Sequence, residues 1–117
     1  MFKLKEYKTR FLFRFGKSLI PIKIENIAYF FRDEIVFART IDGNSYPLDE
    51  SLNELQKQIN PNDFVRVNRQ LLLNADSISK LTPYKPGQLE IQLIPEFHKP
   101  IYLSHERSKC LREFLNE

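Results

Sequence analysis

One cysteine, three glycines, two histidines and no tryptophan occur in the 117 residues. The lone Cys110 excludes an intramolecular disulfide and any multi-cysteine zinc site. It stands among Leu111, Phe114 and Leu115 at helical spacing, which reads as core or helix-flank packing in preference to a reactive thiol. Glycine this scarce forms no glycine-rich phosphate loop, and there is no Gly-x-Ser-x-Gly elbow. His98 and His105 have no carboxylate in metal-ligand spacing, and the neighbours in Asp33-Glu34 and in Asp49-Glu50 point to different faces of their elements. Neither arrangement suits a metal site or paired general acid and base work, so the expectation is a non-enzyme without a cofactor. No stretch approaches the roughly 18–20 apolar residues of a membrane span, and Met1 to Leu12 lacks the apolar core of a signal peptide. The expected location is cytoplasmic, away from a membrane.

What is present suits a folded domain. At 42% hydrophobic and 13% aromatic the chain can build a core, and at 14.0 kDa it has room for one. Residues 1–9 read as a linker end or N-terminal arm and residues 10–117 as one domain. The charge is uneven: residues 1–23 hold seven bases and one acid, whereas residues 24–63 hold three bases and eight acids. A basic bias at one end permits contact with phosphates without demanding it.

Period-two patterning dominates. Phe11, Phe13 and Phe15 alternate with Leu12 and Arg14, predicting a strand with one buried face; Ile20, Ile22 and Ile24 predict its partner, an edge strand because Pro21 lacks an N–H. Ile27-Ala28-Tyr29-Phe30-Phe31 has no polar alternation and predicts a central strand covered on both sides. Asp42-Gly43 predicts a two-residue hairpin turn between strands 35–40 and 45–48. One internal helix is expected where Leu48, Leu52, Leu55 and Ile59 form a stripe, with Ser51 and Glu54 as a capping box and Asn60-Pro61-Asn62 as the stop. Residues 64–73 read as one or two strands interrupted by a polar patch; strands follow at 77–81, 89–93 and 100–103, then a C-terminal helix capped by Ser104.

The polar patch is Arg66-Val67-Asn68-Arg69-Gln70, with Asn74 after three leucines. On an extended strand Arg66, Asn68 and Gln70 would share a face, with Arg69 opposite unless the chain bends. These side chains match base edges in the major groove, but on physical grounds alone an ordinary polar strand face is the preferred reading. The order of words adds to this: Ile27-Ala28-Tyr29-Phe30, the Thr40-Ile41-Asp42-Gly43 hairpin, Tyr46-Pro47-Leu48 running into Ser51, then Phe64 to Asn74, and finally Tyr102-Leu103-Ser104-His105-Glu106-Arg107. Together they resemble the LytTR DNA-binding domain over residues 10 to 116, with residues 64–74 similar to its Phe-x-Arg-x-His-Arg-Ser-x-x-x-Asn signature. Asn68 stands in place of the usual His, Gln70 in place of Ser, and His105 where Arg is common.

The resemblance implies a mainly β fold of stacked antiparallel sheets, with one short internal helix and a C-terminal helix. It also implies a bacterial transcription regulator of the response-regulator type that inserts loops into the major groove of double-stranded DNA. The corresponding DNA-facing positions here are Arg69, the segment Arg32 to Ile35, and Ser104 to Lys109. The expected roles are Arg69 and Asn68 at base edges, Arg66, Arg107 and Lys109 at phosphates, and Ser104 as a cap touching phosphate, with His105 a further candidate. A homodimer on repeated sites is expected, with a receiver domain or a cognate histidine kinase upstream. The acids Asp33, Glu34 and Glu106 favour the alternative, a β module for protein partners.

Overall fold

A computed structural model describes residues 6–116, so residues 1–5 of the expected arm and Glu117 lie outside the described residues. Within the described part of that arm, the Lys8 N–H donates to the Gln58 carbonyl at 2.8 Å. Strands β1 (Arg10–Phe15) and β2 (Ser18–Lys23) form a separate antiparallel hairpin, with Pro21 on β2, which among the described residues pairs only with β1. Phe11 and Phe13 are buried while Leu12 and Arg14 are exposed, as the alternation predicts. Phe15 departs from it: beside the turn it is exposed and touches the edge of the Tyr46 ring.

A five-stranded antiparallel sheet follows, built from β3 (Ile27–Asp33), β4 (Ile35–Thr40), β5 (Ser45–Leu48), β6 (Phe64–Arg66) and β7 (Leu71–Asn74) in the order β5-β4-β3-β7-β6. Strand β3 is central, and its first five residues are all buried. A bulge between Ile27 and Tyr29 shifts the alternation, so Ile27 and Phe30 enter one core while Ala28, Tyr29 and Phe31 enter another. Each large side chain buried this way contributes roughly 1.5–3 kcal/mol. That two-sided demand explains why β3 carries no polar residue before Arg32.

The β4–β5 turn differs from a two-residue hairpin. Thr40 and Asn44 pair, the Gly43 N–H donates to the Thr40 carbonyl at 3.0 Å, and only Gly43 has positive φ, at 95°. This is a three-residue loop in which the glycine absorbs the left-handed conformation. Helix α1 (Leu52–Gln58) begins on the expected capping box: Ser51 Oγ accepts from the Glu54 N–H, and the Glu54 carboxylate accepts from the Ser51 N–H. Leu52, Leu55 and Ile59 seal the first core together with Phe11 and Phe13, while Leu48 joins them from the end of β5.

A three-stranded sheet, β10-β9-β8, covers the opposite face, from β8 (Ile78–Pro83), β9 (Leu89–Leu93) and β10 (Ile101–Leu103). Short 3-10 turns at Ile24–Asn26 and Ala75–Ser77 take up Ile24 and Ser77, the end residues of two expected strands. Helix α2 (His105–Leu115) closes the chain, burying Leu111 in the second core and leaving Cys110 exposed on its flank. The architecture is mainly β, with stacked antiparallel sheets around a central one. Among the described residues no helix is long and apolar enough to cross a membrane.

Candidate nucleic-acid interface

Strand β6 ends at Arg66, and residues 67–70 form a loop before β7, so Arg66, Asn68 and Gln70 do not share a strand face. Buried Val67 pins the loop into the second core, and its N–H donates to the Leu71 carbonyl at 3.2 Å. Asn68 Oδ1 accepts from the Gln70 N–H at 2.8 Å, a local turn that asparagine favours.

Arg66 holds this loop from within. Its Nε donates to the Asn68 carbonyl at 2.6 Å and its Nη2 to the Arg69 carbonyl at 3.0 Å. Its Nη1 donates to Asn53 Oδ1 at 2.8 Å and to Gln56 Oε1 at 3.2 Å, both on α1. Four of the five guanidinium donors are thereby used, leaving one for a phosphate. Burial, and then the charge of Arg107, hold the Arg66 pKa below its ordinary value. The charge of Arg107 on α2 thus acts on Arg66, an electrostatic link from the C-terminal helix to the β6–β7 connection.

Arg69 is exposed at the border of a surface groove, and its carbonyl is held by Arg66 Nη2. Asn68 is half-buried and spends its carbonyl oxygen on the turn, which leaves two amide donors to present. Asn74, the last residue of the signature, is buried: its Nδ2 donates to the Ile27 carbonyl and its Oδ1 accepts from the Asp76 N–H. It locks the end of β7 to the start of β3.

The β3–β4 tip adjoins the loop, since the Arg32 N–H donates to the Gln70 carbonyl at 2.9 Å. Asp33 pairs with Ile35 and leaves Glu34 at the apex with a φ of 66°, a left-handed conformation unusual for glutamate. An open groove of about 430 Å³ runs from this tip to α1, bordered among others by Arg32, Glu34, Asn53, Glu54, Arg66 and Arg69. Its walls carry both signs of charge.

Ser104 is the N-cap of α2, its Oγ accepting from the Arg107 N–H at 3.2 Å. Ser108 and Leu111 face inward, which sets Arg107 on one flank of the helix and His105 with Lys109, four residues apart, on the other. The seven predicted residues thus form two groups. Arg66, Asn68 and Arg69 belong to the β6–β7 connection, with the Arg107 charge acting on Arg66, whereas Ser104, His105 and Lys109 lie at the start of α2 and on its other flank. Reading the sequence missed Asn53 and Gln56, whose facing of Arg66 is a contact across 13 and 10 residues with no local signature.

A family model described as the LytTr DNA-binding domain matches residues 17–116. Among solved structures, the fold is similar to the LytTr DNA-binding domain of a methyl-accepting/DNA response regulator from Bacillus cereus. The two share 15% sequence identity with a TM-score of 0.78, over 94% of this chain and 99% of that one. No curated protein matches the chain.

Proposed function

Because the chain belongs to the LytTR family of DNA-binding domains, we propose that it binds double-stranded DNA sequence-specifically, as the output domain of a bacterial response regulator, by placing loops in the major groove. The observation that carries this reading is the exposed Arg69 on a backbone clamped by Arg66, next to the β3–β4 tip. A guanidinium on a preset backbone loses little freedom when it forms a bidentate contact with guanine, the commonest specific pairing. Asn68 adds two amide donors suited to base acceptors, while its oxygen holds the Gln70 N–H.

Arg107 and Lys109 serve phosphates, as does the remaining donor of Arg66, whose main work is to shape the loop. Ser104 caps α2, and the helix start with His105 adds a flanking contact. One domain of this size reads few base pairs, so the site is expected to be repeated and occupied by a homodimer. A receiver domain or histidine kinase would act upstream, in the cytoplasm.

Selection of duplexes from a random-core pool tests the reading, with the Arg69→Ala variant alongside and salt titration of whatever enriches. A recurring motif lost in the variant, with log affinity falling by roughly 0.9 per neutralised phosphate per decade of salt, is the expected result. The acids along the groove, Glu34, Asp49, Glu50 and Glu54, favour a second reading, a docking face for a protein partner. No enrichment and no salt-sensitive binding would put that reading first.

A further inference from the structure

We infer that Gly87, in the β8–β9 loop, is a positioning residue that presets His105 for contact with DNA. The inference rests on the DNA-binding reading and extends it to a loop that no sequence motif implicates. Lys85, Pro86, Gly87 and Gln88 form a tight turn in which the Gln88 N–H donates to the Lys85 carbonyl at 2.8 Å. Gly87 sits at its third position with a φ of 76°, where glycine or asparagine is suited.

The turn alone does not account for what lies over it. A Cβ on Gly87 would stand 1.9 Å from His105 Cδ2 and 2.7 Å from its Nε2, so the imidazole occupies the space that any side chain would need. His105 is the first residue of α2, directly after the Ser104 cap, and is exposed. An exposed side chain there would ordinarily sample several rotamers. Here one edge of its ring rests on the glycine backbone.

A second contact fastens the same loop. Tyr84 and Tyr102 have ring centroids 4.4 Å apart, and Lys85 Nζ lies 5.6 Å from the Tyr84 centroid. Tyr102 on β10 precedes the Ser104 cap by two residues, so the β8–β9 loop grips the β10–α2 junction at both Tyr102 and His105. The bracket restricts the His105 ring before any ligand arrives, and a restricted ring loses less freedom on binding.

The test uses the enriched duplex and four proteins: the parent chain, Gly87→Asn, His105→Ala and the double variant. Asparagine tolerates the left-handed φ but adds a Cβ, so it displaces the ring without straining the turn as alanine would. His105→Ala is expected to weaken binding about three- to tenfold, the size of a lost preset side chain, and Gly87→Asn to weaken it comparably. The double variant should bind no more weakly than His105→Ala alone.

Proton NMR of the free protein gives a second readout: Gly87 Hα resonances displaced by the imidazole ring current, returning to ordinary values in His105→Ala. Parent-like binding by Gly87→Asn, fully additive losses in the double variant, or no His105-dependent shift at Gly87 would each overturn the inference. The shift does so even if Gly87→Asn fails to fold. An Arg69→Ala defect together with intact binding by His105→Ala would overturn this inference while leaving the DNA-binding reading in place. A parent chain that enriches no duplex would overturn both.

Discussion

Two turns meet at the candidate interface and are made in opposite ways. The β6–β7 loop is held by polar side chains: Arg66 reaches two of its carbonyls and two amides of α1, and Asn68 closes a turn on Gln70. The β3–β4 tip is held by backbone alone, through its strand pairing and the Arg32 N–H on the Gln70 carbonyl, and places Glu34 in a conformation that glutamate disfavours. One turn consumes an arginine to become rigid, while the other tolerates strain at its apex. The lesson is that charge alone does not identify a contact residue. Arg66 and Arg69 are three residues apart, yet one is hydrogen-bonded into the scaffold and the other is exposed.

Substitution of Arg66 should break the first turn most severely. Arg66→Ala leaves two carbonyls and two amide oxygens without their charged donor, and is expected to cost about 3 kcal/mol in urea unfolding, with DNA binding lost alongside. Arg66→Lys should recover little, because an ammonium cannot span the same fork of acceptors. Arg69→Ala sharpens the contrast: affinity for the selected site should fall by roughly 1–3 kcal/mol, while the unfolding free energy changes by less than about 0.5 kcal/mol. Equal destabilisation by the two variants would erase the distinction drawn between them.

The second turn should respond in the other direction. Glu34→Asn suits the left-handed φ and is expected to stabilise the fold by roughly 0.5–1 kcal/mol. It also removes a negative charge beside Arg32 and Arg69, so DNA affinity should rise modestly, most at low salt. Thermal melting and salt-titrated binding check the two halves separately.

The smallest effect concerns the helix on which Arg66 leans. The Ser51 backbone N–H, and then its side chain, hold the Glu54 carboxyl below the usual glutamate pKa. Protons therefore bind the unfolded chain first as pH falls, so this contribution is complete above the ordinary glutamate pKa and disappears as pH drops through the lowered value. Glu54→Gln keeps a capping side chain but not the charge. The melting-temperature gap between parent and variant should be present at neutral pH and close below about pH 4.

Local chemistry made much of this protein legible from its residues. Alternation in Phe11-Leu12-Phe13, the unbroken apolar run of β3, the Ser51–Glu54 box and the Ser104 cap each depend on neighbours within a few positions, and each appears where the pattern placed it. Family membership was legible for the same reason, because its words are short and ordered. Alternation could not show that the chain bends at 67–70, since Arg66, Asn68 and Gln70 have the same period whether extended or turned. The bend is set by buried Val67 and by donors that Arg66 sends to α1, across sequence distances that no local pattern encodes. Tertiary structure alone decided which arginine is scaffold and which is exposed, and that a glycine far along the chain lies under His105. A side chain's duty depends on which donors and acceptors surround it, and only the folded chain brings those together.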